Sequence, residues 1–255
     1  SLSEEDRVAR NLLRDWALDA GFTCDVDSMG NMFIRRAGKN PQLAPVLTGS
    51  HVDTQPLGGN YDGVYGVLAG LELLRTLNDH HIETERDVVL VNWTNEEGAR
   101  FAPAMLSSGV WTGQFSEAYA HARADHDGIT VGEALDNIGY RGEAPARAFP
   151  VYACYELHIE QGPILEDEGL DIGLVRAAMG QRWFTLTLDG FAAHAGTTPM
   201  HSRRDALTAF AELALKVEEI GYRHAPDGRA TIGMAQVTPN SRNVVPSRVV
   251  CSVEF

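Results

Sequence analysis

Basic residues are scarce in this chain. Lys and Arg total 21 against 35 Asp and Glu, a formal net charge of −14. A surface of that sign repels a phosphate backbone, and no basic run offsets it, so nucleic acid is excluded as a partner. Long apolar runs are missing too. Stretches such as Val88–Val91 are far too short to span a bilayer, and residues 1–20 carry Glu4, Glu5, Asp6 and Arg7 where a secretion signal would have an apolar core. No membrane partner is expected. Cysteine is rare: Cys24, Cys154 and Cys251 are odd in number, lie far apart, and offer neither a disulfide framework nor a C-x-x-C pair for a structural zinc. A reducing, cytoplasmic setting fits this usage. Asn92-Trp93-Thr94 has the form of a glycosylation acceptor, but with no secretion signal it reads as ordinary sequence. No G-x-S-x-G elbow occurs, which sets aside a serine hydrolase, and no glycine-rich phosphate loop occurs.

Hydrophobic content of 44% and charged content of 22% are those of a folded globular protein. Val8, Leu12, Leu13, Trp16 and Ala17 predict a helix over 4–20, stopped by Gly21. Buried strands are expected at 45–50, 86–94 and 151–159, with an apolar helix at 64–77. Short apolar strands alternating with helices predict an α/β fold with a mostly parallel sheet covered on both faces. The stretch 116–148 reads as helical turns and loops on the surface. After about Gly180 the pattern changes to a β-formers run at 183–188, an amphipathic helix at 205–220, and strands at 230–238 and 247–255. That order predicts a second, smaller α+β domain over 180–255 following a domain over 1–179, with the smaller one cut off part-way.

Four polar clusters fall at the carboxyl ends of the expected strands, where open α/β sheets place their sites. They are Gly49-Ser50-His51-Val52-Asp53, Gly59-Asn60-Tyr61-Asp62-Gly63, Asn95-Glu96-Glu97-Gly98, and Glu156 to Gly162. Imidazoles and carboxylates converging on one crevice need cations to hold them, and mixed His and carboxylate ligands suit Zn²⁺ or Mn²⁺. An aspartate can bridge two ions about 3.5–4 Å apart, an arrangement that activates water near neutral pH. Adjacent Glu96 and Glu97 cannot point the same way on an extended chain, so one can bind metal while the other serves as general base. His51 and Asp53 point to the same side, which lets Asp53 fix the imidazole tautomer. The group His121, Asp125, His126 and Asp127 has no strand to position it and reads as a solvated loop. His80-His81 follows a helix end and is expected to be exposed.

The stretches GSHVDTQPLGGNYDG, NWTNEEGARF, ELHIEQGPILE, GFAAHAGTTPM and PNSRNVVPS resemble the hydantoinase/carbamoylase amidase family, relatives of the di-metal aminopeptidases. The resemblance runs over nearly the whole chain in the family's order. It implies a di-metal catalytic domain with an inserted, ferredoxin-like dimerisation domain, and hence a homodimer. His51, Asp62 and His158 would bind one metal, with Asp62 bridging, and Glu97 would bind the second. Glu96 would be the general base and Asp53 would support His51. His194 would reach the partner subunit's site and stabilise the oxyanion, and Gln161 and Asn243 would contact substrate. The cofactors would be two divalent ions, Zn or Mn, with Co or Ni also able to fill such sites. The substrate would be a small ureido or amide molecule, with an N-carbamoyl-L-amino acid favoured by Asp53-Thr54-Gln55-Pro56. Allantoate amidohydrolase, β-ureidopropionase, dipeptidase or aminopeptidase activity, and a non-catalytic binding module, are the alternatives. Family members are longer, with a last metal-binding His and a substrate-binding Arg beyond position 255. The expectation is therefore a chain truncated at both ends, with one complete three-ligand metal site and one incomplete site.

Overall fold

The computed structural model describes residues 1–255, which divide into two compact units, Ser1–Ile172 and Gly173–Phe255. No helix is long and apolar enough to cross a membrane.

In the first unit, α1 (Glu4–Asp19) starts at Ser3, whose hydroxyl accepts the Asp6 N–H, and carries three acids in its first turn. Acids there complement the helix dipole. Its inward stripe is not the apolar one that the sequence suggests. Asp6, Arg10, Leu13 and Ala17 are buried, while Val8, Leu12 and Trp16 are exposed. Arg10 is enclosed by the Asp6 carboxylate at 2.7 Å, the Gly30 carbonyl at 2.7 Å and the Thr94 hydroxyl at 3.1 Å.

Strands β1 (Thr23–Val26), β2 (Met32–Arg36), β3 (Val46–His51), β4 (Val88–Trp93) and β5 (Ala153–Tyr155) form one sheet in the order β1-β2-β4-β3-β5. The sheet is mixed, not mostly parallel. β3 runs parallel to both β4 and β5, but β2 is antiparallel to β1 and to β4. The cause is connection length: only the 27–31 turn joins β1 to β2 and only a loop joins β2 to β3, whereas parallel neighbours need a long crossover. Such a crossover is α2 (Val64–Asp79), which buries Gly66, Val67, Gly70, Leu71 and Leu74. At Gly66 a Cβ would stand 2.4 Å from the Leu157 carbonyl and 2.8 Å from the Ser50 side chain, so only glycine lets the helix lie this close to β3.

The expected strand at 151–159 shrinks to the three residues of β5, after which the chain leaves the sheet through irregular turns to α6 (Ile164–Glu168). The stretch 116–148 is more than surface. After α3 (Leu106–Trp111), α4 (Glu117–His121) and α5 (Val131–Ile138) bury Ala120, Val131, Ala134, Leu135 and Ile138 in the main core. α5 is closed by a reciprocal Thr130–Glu133 cap. On the other sheet face, Phe33, Leu47, Val89 and Val91 pack with Trp93, Trp111, Phe149 and Val151.

The second unit is a three-stranded antiparallel sheet, β6 (Trp183–Asp189), β10 (Arg248–Glu254) and β8 (Ala235–Thr238), in the order β6-β10-β8. Helix α7 (Ala206–Arg223) is capped by the Asp205 carboxylate on the Leu207 and Thr208 amides. Val217, Phe210 and Leu213 pack on Leu186, Leu188, Cys251 and Val253. A separate two-stranded ribbon joins β7 (Ala193–His194) to β9 (Val244–Val245).

Candidate metal centre

Because β3, β4 and β5 are parallel and in register, their carboxyl ends open on one edge of the first unit's sheet. His51 is the last residue of β3, Asp62 lies in the turns before α2, Glu96 and Glu97 follow β4, and His158 follows β5. The ligand atoms of His51, Asp62 and His158 all lie within 4.8 Å of one another. Asp62 Oδ1 stands 3.2 Å from His158 Nε2 and 3.9 Å from His51 Nε2.

The two imidazoles are oriented alike. His51 Nδ1 lies 2.8 Å from the Asp53 carbonyl and His158 Nδ1 lies 2.8 Å from the Ile159 carbonyl. A carbonyl only accepts, so each Nδ1 carries the proton and each Nε2 presents a lone pair toward Asp62. Two such lone pairs and a carboxylate oxygen facing one point fit a divalent cation with nitrogen and oxygen ligands. Gly63 closes this geometry from behind. Its φ is +66°, and a Cβ there would stand 2.3 Å from the His51 ring.

Asp53 acts differently from the sequence expectation. The acceptor that fixes the His51 tautomer is the Asp53 main-chain carbonyl, while its carboxylate lies 3.9 Å from Nδ1. That buried carboxylate instead accepts two amide protons, from Glu96 at 3.1 Å and from Glu97 at 3.2 Å. The chain reaches this arrangement through Asn95, a buried residue with φ +53° whose side-chain amide donates to the Phe101 carbonyl at 2.7 Å.

Glu96 Oε2 stands 3.4 Å from His51 Nε2. Burial raises its carboxyl above the ordinary range; His51 opposes the rise, and the Asp53, Glu97 and Glu156 carboxylates add to it. Glu97 is outside the three-residue set. Its Oε2 accepts from the Gln55 amide at 3.0 Å, and its Oε1 is buried with no partner. Burial raises this carboxyl as well. Gln161, which the resemblance implies as a substrate contact, donates its amide to Asp62 Oδ2 at 2.5 Å from a backbone with φ +58°. Ser50 donates to Glu156 at 2.5 Å, tying the ends of β3 and β5. Gln55, Asn95, Ser50 and Glu156 carry no ligand pattern of their own, and only the folded chain reveals their contacts.

His194 and Asn243 lie in the second unit and meet there. His194 on β7 pairs with Val244 on β9, and the Ala195 N–H donates to the Asn243 carbonyl at 2.9 Å. Ser241 donates to Asn243 Oδ1 at 3.2 Å, leaving the amide hydrogens of Asn243 free.

The polar group around His121 divides: His126 and Asp127 are exposed, as expected of a solvated loop, while His121 and Asp125 are tied to the fold. His121 Nε2 bonds the Ser28 carbonyl at 2.9 Å and Asp125 accepts from Arg100 at 2.9 Å. His80 and His81 are exposed, and Asn92 is fully buried, which removes it as a glycosylation acceptor.

The profile of peptidase family M20/M25/M40 matches residues 47–240. The chain belongs to this family. It is 46% identical over its whole length to an N-carbamoyl-L-amino-acid amidohydrolase of Rhizobium meliloti, of which it covers 61%. It is 38% identical over 242 residues to an allantoate amidohydrolase of Bacillus subtilis, a match covering 92% of this chain and 58% of that one. A crystal structure of an amidase of the hydantoinase/carbamoylase family from Burkholderia vietnamiensis superposes with a TM-score of 0.98 at 56% identity, covering all of this chain and 62% of that one. The chain thus spans about three-fifths of the length of these relatives.

Proposed function

We propose that the protein is a binuclear metal-dependent amidohydrolase that cleaves the carbamoyl C–N bond of N-carbamoyl-L-amino acids, releasing the amino acid, ammonia and carbon dioxide. The observation that carries this reading is the placement of Glu96 Oε2 3.4 Å from the Nε2 atom that His51 presents toward Asp62. The similarity to an N-carbamoyl-L-amino-acid amidohydrolase supports the substrate class.

His51, Asp62 and His158 would hold one divalent cation, and Asp62 with Glu97 would contribute to a second. Glu97 Oε1, buried and without a partner, is a ligand atom in need of a positive charge. Zn²⁺ or Mn²⁺ suits these donors, and Co²⁺ or Ni²⁺ can replace them. When bound, such cations polarise a carbonyl oxygen and lower the pKa of water.

Glu96 takes the proton of the attacking water and passes it to the nitrogen that leaves with the amino acid, and the carbamate released falls to ammonia and carbon dioxide. Its raised carboxyl suits a group that both accepts and returns a proton. His194 donates a hydrogen bond to the developing oxyanion, serving the centre of a second copy in a homodimer. The free amide hydrogens of Asn243 bind the substrate's carboxylate or carbonyl oxygens, and Gln161 adds an amide beside Asp62.

The test is Glu96→Gln in metal-loaded protein, following ammonia release from an N-carbamoyl-L-amino acid. Turnover should fall at least about a thousandfold with metal content unchanged. Wild-type-like turnover would overturn the assignment of Glu96. Ammonia release from allantoate alone would move the substrate class, and amino acid release from dipeptides alone would replace the reading with a peptidase.

A further inference from the structure

Arg203 makes an unusual use of its charge. The half-buried guanidinium spends its donors on two main-chain oxygens of a single turn: Nε on the Thr198 carbonyl at 3.0 Å and Nη2 on the Ala195 carbonyl at 2.6 Å. The chain returns to that position through the 3-10 turn Met200–Ser202. The turn it clamps is the one that follows His194. Within it, the Thr198 N–H donates to the His194 carbonyl at 3.1 Å, and the Gly196 N–H donates to His194 Nδ1 at 3.0 Å.

The last of these bonds has a chemical consequence. A ring nitrogen that accepts an N–H carries a lone pair, so the proton of the neutral imidazole sits on Nε2. This is the reverse of His51 and His158, whose Nδ1 atoms face carbonyl oxygens. His51 and His158 thus present an Nε2 acceptor and His194 an Nε2–H donor, each set by the main chain beside it.

We infer that Arg203 is a positioning residue that keeps His194 in its donor tautomer. By holding the Ala195 and Thr198 carbonyls, the planar fork fixes the peptide plane of Gly196, so its N–H meets Nδ1. A lysine cannot span both oxygens with the same geometry. The inference rests on the reading of His194 as a hydrogen-bond donor to the substrate for its purpose, but not for its detection.

The experiment uses ring-¹⁵N-histidine protein and long-range ¹H–¹⁵N correlation of the side chain, with His194 assigned by its loss in His194→Gln. Wild type should show the Nε2–H tautomer alone. In Arg203→Met the Nδ1–H form should rise to at least about a tenth of the population, and exchange of the Gly196 amide should accelerate about tenfold. Arg203→Lys, which keeps the charge and loses the fork, should show the same exchange change in weaker form. An unchanged tautomer and unchanged Gly196 exchange in folded Arg203→Met would overturn the inference. Should that variant unfold the second unit, Arg203→Lys decides, and wild-type Gly196 exchange there would overturn it. A double-mutant cycle on turnover separates the two levels. Arg203→Met should lower kcat in wild type and add nothing in a His194→Gln background. A tautomer shift with no effect on kcat keeps the positioning role and removes His194 from the reaction.

Discussion

Asp53 accepts the main-chain N–H of Glu96 on one carboxylate oxygen and that of Glu97 on the other, at 3.1 and 3.2 Å. One buried anion thereby fixes the two peptide planes from which the candidate base and the candidate ligand project. Asp53→Asn presents an amide nitrogen to one of those N–H groups, leaving a donor facing a donor. Leaving one such buried group unpaired costs about 1–3 kcal/mol. The His51 tautomer should survive, because its acceptor is the Asp53 carbonyl. The expected result is a fall in turnover of about a hundredfold or more, with affinity for the first cation changed less than about tenfold, read by metal titration beside kinetics. Equal losses in both would show that the carboxylate serves His51 instead.

Gln55 anchors Glu97 Oε2 at 3.0 Å and leaves Oε1 buried and unpartnered. Removing the anchor with Gln55→Leu lets the carboxylate rotate. Supporting residues of this kind contribute about 10–100-fold to metal affinity. Affinity for a second ion should weaken by that factor while the first ion still binds and the melting temperature holds. A titration with two unchanged equivalents would remove Gln55 from the centre.

The convergence of His51, Asp62 and His158 was legible in the sequence because two of their clusters follow strands and the third opens a helix, each with distinctive neighbours. What the sequence hid were contacts made by the backbone. Nothing in Asp53 as a letter tells whether its carbonyl or its carboxylate faces His51, since that depends on the left-handed turn at Asn95 bringing two amides to the side chain. The fold shows the same division. Val88–Val91 reads as a strand from its unbroken apolar character and is buried throughout. Thr23–Val26 has no such signal, being half-exposed on alternate residues, and with it the antiparallel half of the sheet went unread. In α1 the buried Asp6–Arg10 pair defeats a pattern based on apolar residues alone.

The thiols should react unequally. Burial pushes the Cys24 thiol up to about 11, with Asp25 adding to it, while Cys154 is exposed and Cys251 is buried. Only the thiolate attacks an alkylating reagent. In native protein near pH 8, Cys154 should be labelled first, with Cys24 and Cys251 slower by at least about tenfold, as peptide mass spectrometry would resolve. Rapid labelling of Cys24 would mean that the β1 edge opens readily.

Arg10 and Asp6 make a pH-dependent contribution to stability whose sign can be worked out. Burial pushes the Asp6 carboxyl up, but the Arg10 charge and the Leu2 amide outweigh it, and the net position is below the ordinary value of 3.8. A carboxyl depressed in the folded state stabilises above its unfolded value, and that stability is lost as pH falls through the folded value. Arg10→Met at neutral pH leaves Asp6 charged, buried and uncompensated, a change that costs about 3–5 kcal/mol. Below pH 3.8 the wild type loses its advantage as Asp6 takes up a proton, so the gap between the two proteins should narrow with acid. Adding Asp6→Asn to Arg10→Met should recover part of the loss at pH 7, because the stranded charge is gone. Denaturant melts of the three proteins across this range read the gap directly, and a gap independent of pH would show that Arg10 acts through packing against Gly30, Thr94 and Tyr140 and not through its charge.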